Sequence, residues 1–246
     1  IYTGEDTLSL HDALPIWHVA LRVVGTFWGL PLTGFFSGFV SSTAASATFG
    51  YQVKQQPELL GVSVAATLLS NVASVGLLAL VLQVSSPEFL QITWPPLAAA
   101  IACLLLTSLF WLRHSNVHGV TSMQLTAHAF NLRYALMIAI IISLVLLLSA
   151  VMGEWLGEAG AIASAVFVGL GEIHAAGISL AHLSRLPEHS NLHLIWGLWG
   201  VLTASTLSKS VLATISGGWQ FGWRVASALV LMLFAFAVTL LWYQPG

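Results

Sequence analysis

The sequence predicts an all-α integral membrane protein, and three observations carry that prediction. Charged residues are 7% of the chain against 57% hydrophobic, with a mean hydropathy of +0.89. A soluble domain carries charge on nearer a quarter of its residues. The apolar residues also fall into segments of about the ~20 residues a bilayer requires, separated by turns that hold breakers such as Gln55-Gln56-Pro57, Ser85-Ser86-Pro87, Pro187-Glu188 and Ser216-Gly217-Gly218.

In chain order, residues 1–16 (IYTGEDTLSLHDALPI) show no helical apolar stripe, hold three acidic residues, and lack the basic and apolar regions of a signal peptide. They read as a non-native leader, similar to translated adapter sequence, with no role for His11 or Asp12. Residues 17–246 read as one polytopic domain. Trp17 to Gly29 is apolar but too short to span, so it is taken as the tail of a truncated first helix.

Seven spans follow: Leu30 to Gln52, Glu58 to Val84, Trp94 to Arg113, Asn131 to Trp155, Gly160 to Leu186, Asn191 to Ser216 and Trp219 to Tyr243. If each crosses once, Lys54, Arg113 with Arg133, and Arg185 share one side, opposite Glu88, Glu154 and Glu158 with only Arg224 near an end. The positive-inside rule then puts the cationic loops and the C-terminus in the cytoplasm.

An internal repeat is visible in the polar positions. Gly38 to Ala45 (GFVSSTAA) aligns with Gly169 to Ala176 (GLGEIHAA), and Leu69-Ser70-Asn71 aligns with Leu207-Ser208-Lys209. Repeat 1 is about 17–113 and repeat 2 about 131–243. A separation of four segments makes the two repeats parallel.

Ionisable groups at hydrocarbon depth are functional candidates, because they must find partners or water. Glu172 and His174 lie within one apolar span, yet residues two apart point about 200° from each other around a helix. Both can face one cavity only if the helix opens, which Gly169, Gly171 and Gly177 would permit. Lys209 needs a counter-charge, and Glu172 is the nearest expected in sequence; the alternative is that Lys209 snorkels to the interface.

In the first half, Gly34, Ser37, Ser41, Ala44 and Thr48 form one polar and small stripe, and Thr67, Asn71 and Ser74 another. These stripes serve either as an ion path or as interhelical packing. Ser41, Ser42, Thr43, Asn71 and Ser205 are candidate lining, with Glu172, His174 and Lys209 as the charged members.

His114 with His118, and His189 with His193, have the i, i+4 spacing that suits a transition metal, without an accompanying cysteine. They are weak metal candidates. No cofactor is expected. Cys103, the single cysteine, reads as a small core residue. With seven Lys and Arg and a net charge of −2, the chain has no electrostatic footprint for nucleic acid. No HExxH, Gly-x-Ser-x-Gly or phosphate-loop pattern is present, so an enzyme is not expected.

Gly29-Leu30-Pro31-Leu32-Thr33-Gly34, followed by Gly38-Phe39-Val40-Ser41-Ser42-Thr43-Ala44, resembles the "GL-LTG" and "GGLVSSTA" segments of the membrane domain of unknown function found alone or C-terminal to the MgtC/SapB domain. Gly169 to Ala175 is similar to that family's "GLVDVDA", and Ser205 to Lys209, then Gly217-Gly218, to its "N-T-x-x-K" and "GG". The likeness runs from Trp17 to Tyr243. Glu172 and His174 stand where the family has aspartates, and Ser205 where it has asparagine. The resemblance implies a polytopic inner-membrane protein of the transporter kind, without settled chemistry and without a cofactor.

The function expected is therefore that of a transporter or permease for a small cation or proton. The alternative is a non-transporting scaffold or regulator that binds another membrane protein. Expected partners are the lipid bilayer, a small cation or proton, and an MgtC/SapB-type domain or a second copy of the chain.

Overall fold

The computed structural model describes residues 14–115, 159–185 and 191–243, with side chains from residue 29 onward. The described residues are helical, with no strand among them. In order they are α1 (Leu14–Gln55), a 3-10 turn (Pro57–Leu59), α2 (Leu60–Ser85), α3 (Pro87–Arg113), α4 (Ala159–Val168), α5 (Ile173–Leu183), α6 (Asn191–Gly217) and α7 (Trp219–Trp242). Among the described residues, four stretches are long and apolar enough to cross a membrane: Pro57–Ser85, Pro87–Arg113, Asn191–Gly217 and Trp219–Trp242.

The expected spans differ from this in three places. The segment Asn131 to Trp155 lies outside the described residues. Trp17 to Gly29 and Leu30 to Gln52 are not separate pieces, because helical bonding continues through Pro31, a residue tolerated in membrane helices where neighbours satisfy the freed groups. The third span starts at Pro87 rather than Trp94. There Ser86 caps the helix, its hydroxyl accepting from Phe89 N at 3.4 Å, Pro87 occupies the first turn where no N–H is needed, and Pro95 and Pro96 lie inside the helix.

Although α1 carries helical bonding throughout, it does not run straight. A Cβ on Gly34 would overlap the Ala66 carbonyl, and one on Gly38 the Ser70 carbonyl, so this part of α1 lies against α2 and runs parallel to it. A straight helix would then leave Gln55 about 40 Å from Leu60, at ~1.5 Å per residue. Five Cα steps reach only about 19 Å. The chain therefore reverses, and the reversal falls after Gly38, where the Ser41 hydroxyl accepts from Ala44 N at 3.1 Å in the manner of a helix N-cap. Residues 29–38 form one arm and residues 42–55 the other. The Gly34-x-x-x-Gly38 spacing permits the backbone approach: without a large apolar gain from association in lipid, close van der Waals contact between small residues holds membrane helices together.

The segment Gly160 to Leu186, expected as one crossing, is also a hairpin. It is split into helices of 10 and 11 residues, α4 and α5, by a turn at residues 169–172. A Cβ on Gly197 of α6 would lie 3.1 Å from Ile162 and 3.2 Å from Leu180, so α4 and α5 stand side by side against the same residue. In one continuous helix those two residues would be about 27 Å apart.

The two hairpins open toward opposite ends of the bundle. Residues 42–55 end beside the C-terminus of α6, where Lys54 Nζ donates to the Ile215 carbonyl at 2.7 Å. The end of α5 reaches the C-terminus of α2 instead: Ser184 Oγ is 3.2 Å from Ser86 Oγ, and the Arg185 guanidinium donates to the Ser85 carbonyl. Around them α2 packs on α3, α6 on α7 and α3 on α7. The Trp199 indole donates to the Leu233 carbonyl at 3.2 Å, between antiparallel α6 and α7.

This arrangement corrects the expected sidedness. Because residues 159–185 enter and leave at one end, Arg185 lies at the end opposite Lys54 and Arg113, and Trp242 lies with Arg185. Arg224, stacked 4.8 Å over Trp111, is at the Lys54 end. α2 and α6 run in opposite directions, and so do α3 and α7.

Candidate functional site

Both hairpin turns lie at mid-height of the bundle, and they face each other. Between them is a cavity of about 40 Å3 lined by Ser41, Ser42 and Thr43 of the first turn, Gly171, Glu172, Ile173 and His174 of the second, Ser74 of α2, and Ser205 and Lys209 of α6. The candidate residues Ser41, Ser42, Thr43, Glu172, His174, Ser205 and Lys209 thus converge, drawn from segments more than a hundred residues apart. Asn71 joins them one step behind the wall, through Lys209.

Residues 169–172 leave the helix because the last turn of α4 tightens: Gly169 N donates to the Ala165 carbonyl at 2.9 Å, while Leu170 N and Gly171 N donate to carbonyls only three residues back. Glu172 then takes an extended conformation and caps α5. One carboxylate oxygen, Oε1, accepts from His174 N at 2.8 Å and lies 2.5 Å from His174 Nδ1. A carboxylate at a helix N-terminus meets unpaired N–H groups and the positive end of the helix dipole. The opening of the helix resolves the 200° conflict, since Glu172 is no longer on the helix that carries His174.

His174 Nε2 lies 3.1 Å from the Ser74 carbonyl. A carbonyl only accepts, so Nε2 carries a proton. Nδ1 and Oε1 hold one further proton between them, either as imidazolium with carboxylate or as imidazole with carboxylic acid. In both forms the pair is neutral overall. The Glu172 side chain is 39% exposed and that of His174 20%, so the pair is not sealed within the protein.

Lys209 is only 5% exposed, and its ammonium donates to Asn71 Oδ1 at 2.8 Å. Asn71 Nδ2 donates to the Thr67 carbonyl at 2.9 Å, which fixes the amide with its oxygen toward the lysine. The expected Glu172–Lys209 ion pair is not formed: among the described residues the only carboxylate–cation contact within 4.0 Å is Glu172 with His174. Snorkelling is not seen either. The reason is the hairpin, which turns Glu172 toward its own helix N-terminus while α2 brings Asn71 to the lysine.

Ser74 was legible only as part of the Thr67-Asn71-Ser74 stripe; its contribution is a main-chain carbonyl, which side-chain chemistry does not reveal. Each expected histidine pair has one member outside the described residues. His118 and His189 lie outside the described residues, His114 Nδ1 is 2.9 Å from the Phe110 carbonyl, and His193 is exposed near the start of α6. No cluster of three or more metal-binding side chains occurs among the described residues.

No curated protein and no solved structure matches the chain. A family described as a domain of unknown function (DUF4010) matches residues 16–217, and the chain belongs to that family.

Proposed function

We propose that the protein is a membrane permease for a small ion, with a proton carried by the Glu172–His174 pair at the midplane. The observation that carries this reading is the meeting of two chain reversals around a small polar cavity. Backbone that leaves the helix at membrane depth is tolerated only where it is buried in protein or lines a cavity. A space of about 40 Å3 suits an ion or a few waters. Of the two ions expected from the sequence, the proton fits better than a metal cation, because the Glu172–His174 pair can carry a proton on its own atoms whereas a metal cation would need several ligands beside the Lys209 ammonium.

Permeases of this kind are commonly built from inverted repeats with discontinuous helices at the midplane. The contacts support such a relation. The shift in sequence that carries Gly38 onto Gly169 also carries its neighbour Ser70 onto Val201, the residue Gly169 touches. It carries Lys54 onto Arg185, which make matching bonds to the end of the other half's second helix. It carries Thr43 and Ser205 onto His174 and, in reverse, Ser74, so both pairs lie across the same cavity. On this register Asn71 corresponds to Leu202, two turns from the match with Lys209 that the sequence suggests. On this reading the described residues form two inverted units, each with a re-entrant hairpin and two crossings, where the sequence suggested parallel repeats. Among the described residues, Lys54, Arg113 and Arg224 at one end against Arg185 at the other support a cytoplasmic first end by the positive-inside rule, with Trp242 on the far side of a plasma (inner) membrane in this reading.

A scaffold would hold Glu172 and Lys209 dry and fully paired, whereas Glu172 is partly exposed and Lys209 is paired elsewhere. The experiment is proton flux in liposomes, wild type beside Glu172→Gln. The expected result is flux that disappears in a variant that still folds; wild-type flux retained by Glu172→Gln, or absent under every gradient, overturns the reading.

A further inference from the structure

We infer that the cavity between the hairpin turns binds a small monovalent inorganic anion of halide size, held by the Lys209 ammonium. The inference rests on the permease reading of the same site and names a second ion for it.

Lys209 is 5% exposed and lines the cavity, and its described hydrogen bond is to a neutral amide, Asn71. A buried ammonium is stable only against a counter-charge or a strong set of acceptors. Among the described residues, the other ionisable groups facing the cavity are Glu172 and His174, both from the α4–α5 hairpin. While they share a proton the pair is neutral overall, and although Lys209 feels the charge of Glu172, no Glu172 oxygen lies within 4.0 Å of the ammonium and Oε1 is engaged by the ring and the N–H of His174.

From α1 the wall receives Ser41, Ser42 and Thr43, from α2 Ser74, and from α6 Ser205, none of which carries charge. The wall therefore has a net charge of about +1 while Lys209 is protonated. Hydroxyls of Ser41, Thr43 and Ser205 on the wall can donate to an anion in that space. The volume, about 40 Å3, sets the size to a single inorganic ion. With a proton on the Glu172–His174 pair and an anion at Lys209, the two would cross as a neutral load, avoiding the cost of moving net charge through a low-dielectric region.

The test separates binding from transport. Thermal unfolding of the detergent-solubilised full-length protein is followed in sodium fluoride, chloride and bromide against sodium gluconate at equal ionic strength. A saturable rise in Tm with at least one halide is expected. Lys209→Met should lose the rise. Asn71→Asp, which gives the ammonium a fixed counter-charge and keeps the site folded, should weaken halide binding at least tenfold. No halide-specific rise in the wild type, or an undiminished rise in Asn71→Asp, overturns the inference. Halide stabilisation without flux in liposomes would sustain the anion site and sink the permease; proton flux without halide stabilisation would do the reverse.

Discussion

Lys209 and Asn71, 138 residues apart in the chain, share a hydrogen bond of 2.8 Å in the interior of the bundle. Asn71 is 3% exposed and holds its orientation through Thr67, so the amide is a preformed acceptor for the ammonium. Removing it leaves the charge buried without that partner. Asn71→Leu is expected to cost about 2–4 kcal/mol, since hydrogen bonds to charged groups are worth about 1.5–3 and an orphaned charge adds to this. Thermal unfolding in detergent measures it. The double variant Asn71→Leu, Lys209→Met should recover most of the loss, because the charge is gone with its acceptor; a double variant as weak as the sum of the singles would refute the coupling.

The close approach of α1 to α2 gives a second prediction. Gly34→Leu and Gly38→Leu should each prevent correct folding, because their Cβ atoms would occupy the space of the Ala66 and Ser70 carbonyls, which belong to backbone and cannot swing aside. Gly76→Ala on α2, where a Cβ meets nothing within 4 Å, should leave yield and Tm unchanged. Gel filtration of solubilised protein distinguishes the three.

Sidedness is open to direct measurement. Lys54 and Arg185 end two hairpins that open to opposite faces, so Lys54→Cys and Arg185→Cys should react with an impermeant thiol reagent from opposite sides of a sealed vesicle. With Cys103 replaced by alanine as background, labelling of both from one side would contradict the hairpin arrangement.

Gly218 joins α6 to α7 with φ of 81° and ψ of 174°, a conformation that residues with a Cβ rarely adopt. Gly218→Ala should therefore destabilise by about 1–3 kcal/mol although no atom lies within 4 Å of the new methyl, so a loss in Tm there reports backbone strain and not a clash.

Much of the site was legible in the sequence because ionisable and hydroxyl side chains are rare in apolar segments and each needs a partner. That rule singled out Glu172, His174, Lys209, Ser41, Ser42, Thr43, Asn71 and Ser205, all of which meet at or directly behind one cavity. The partner of Lys209 was not legible. Proximity in sequence favoured Glu172, and the α2–α6 contact that supplies Asn71 exists only once the bundle is assembled.

The sequence by itself determined that the chain is helical and apolar enough for a membrane, where most helix ends fall, and which side chains require burial with company. These follow from composition, segment length and the local chemistry of Pro, Gly and Ser, each a property of a few neighbouring residues. Only the tertiary structure decided that two of the apolar segments turn back at mid-height instead of crossing. A hairpin and a span of equal length have the same hydropathy; what separates them is whether a neighbouring helix offers a small-residue surface, such as Ala66 and Ser70 or Gly197, against which both arms or one can pack. That choice in turn set chain direction, the side on which Arg185 lies, and the pairing of Glu172 with His174.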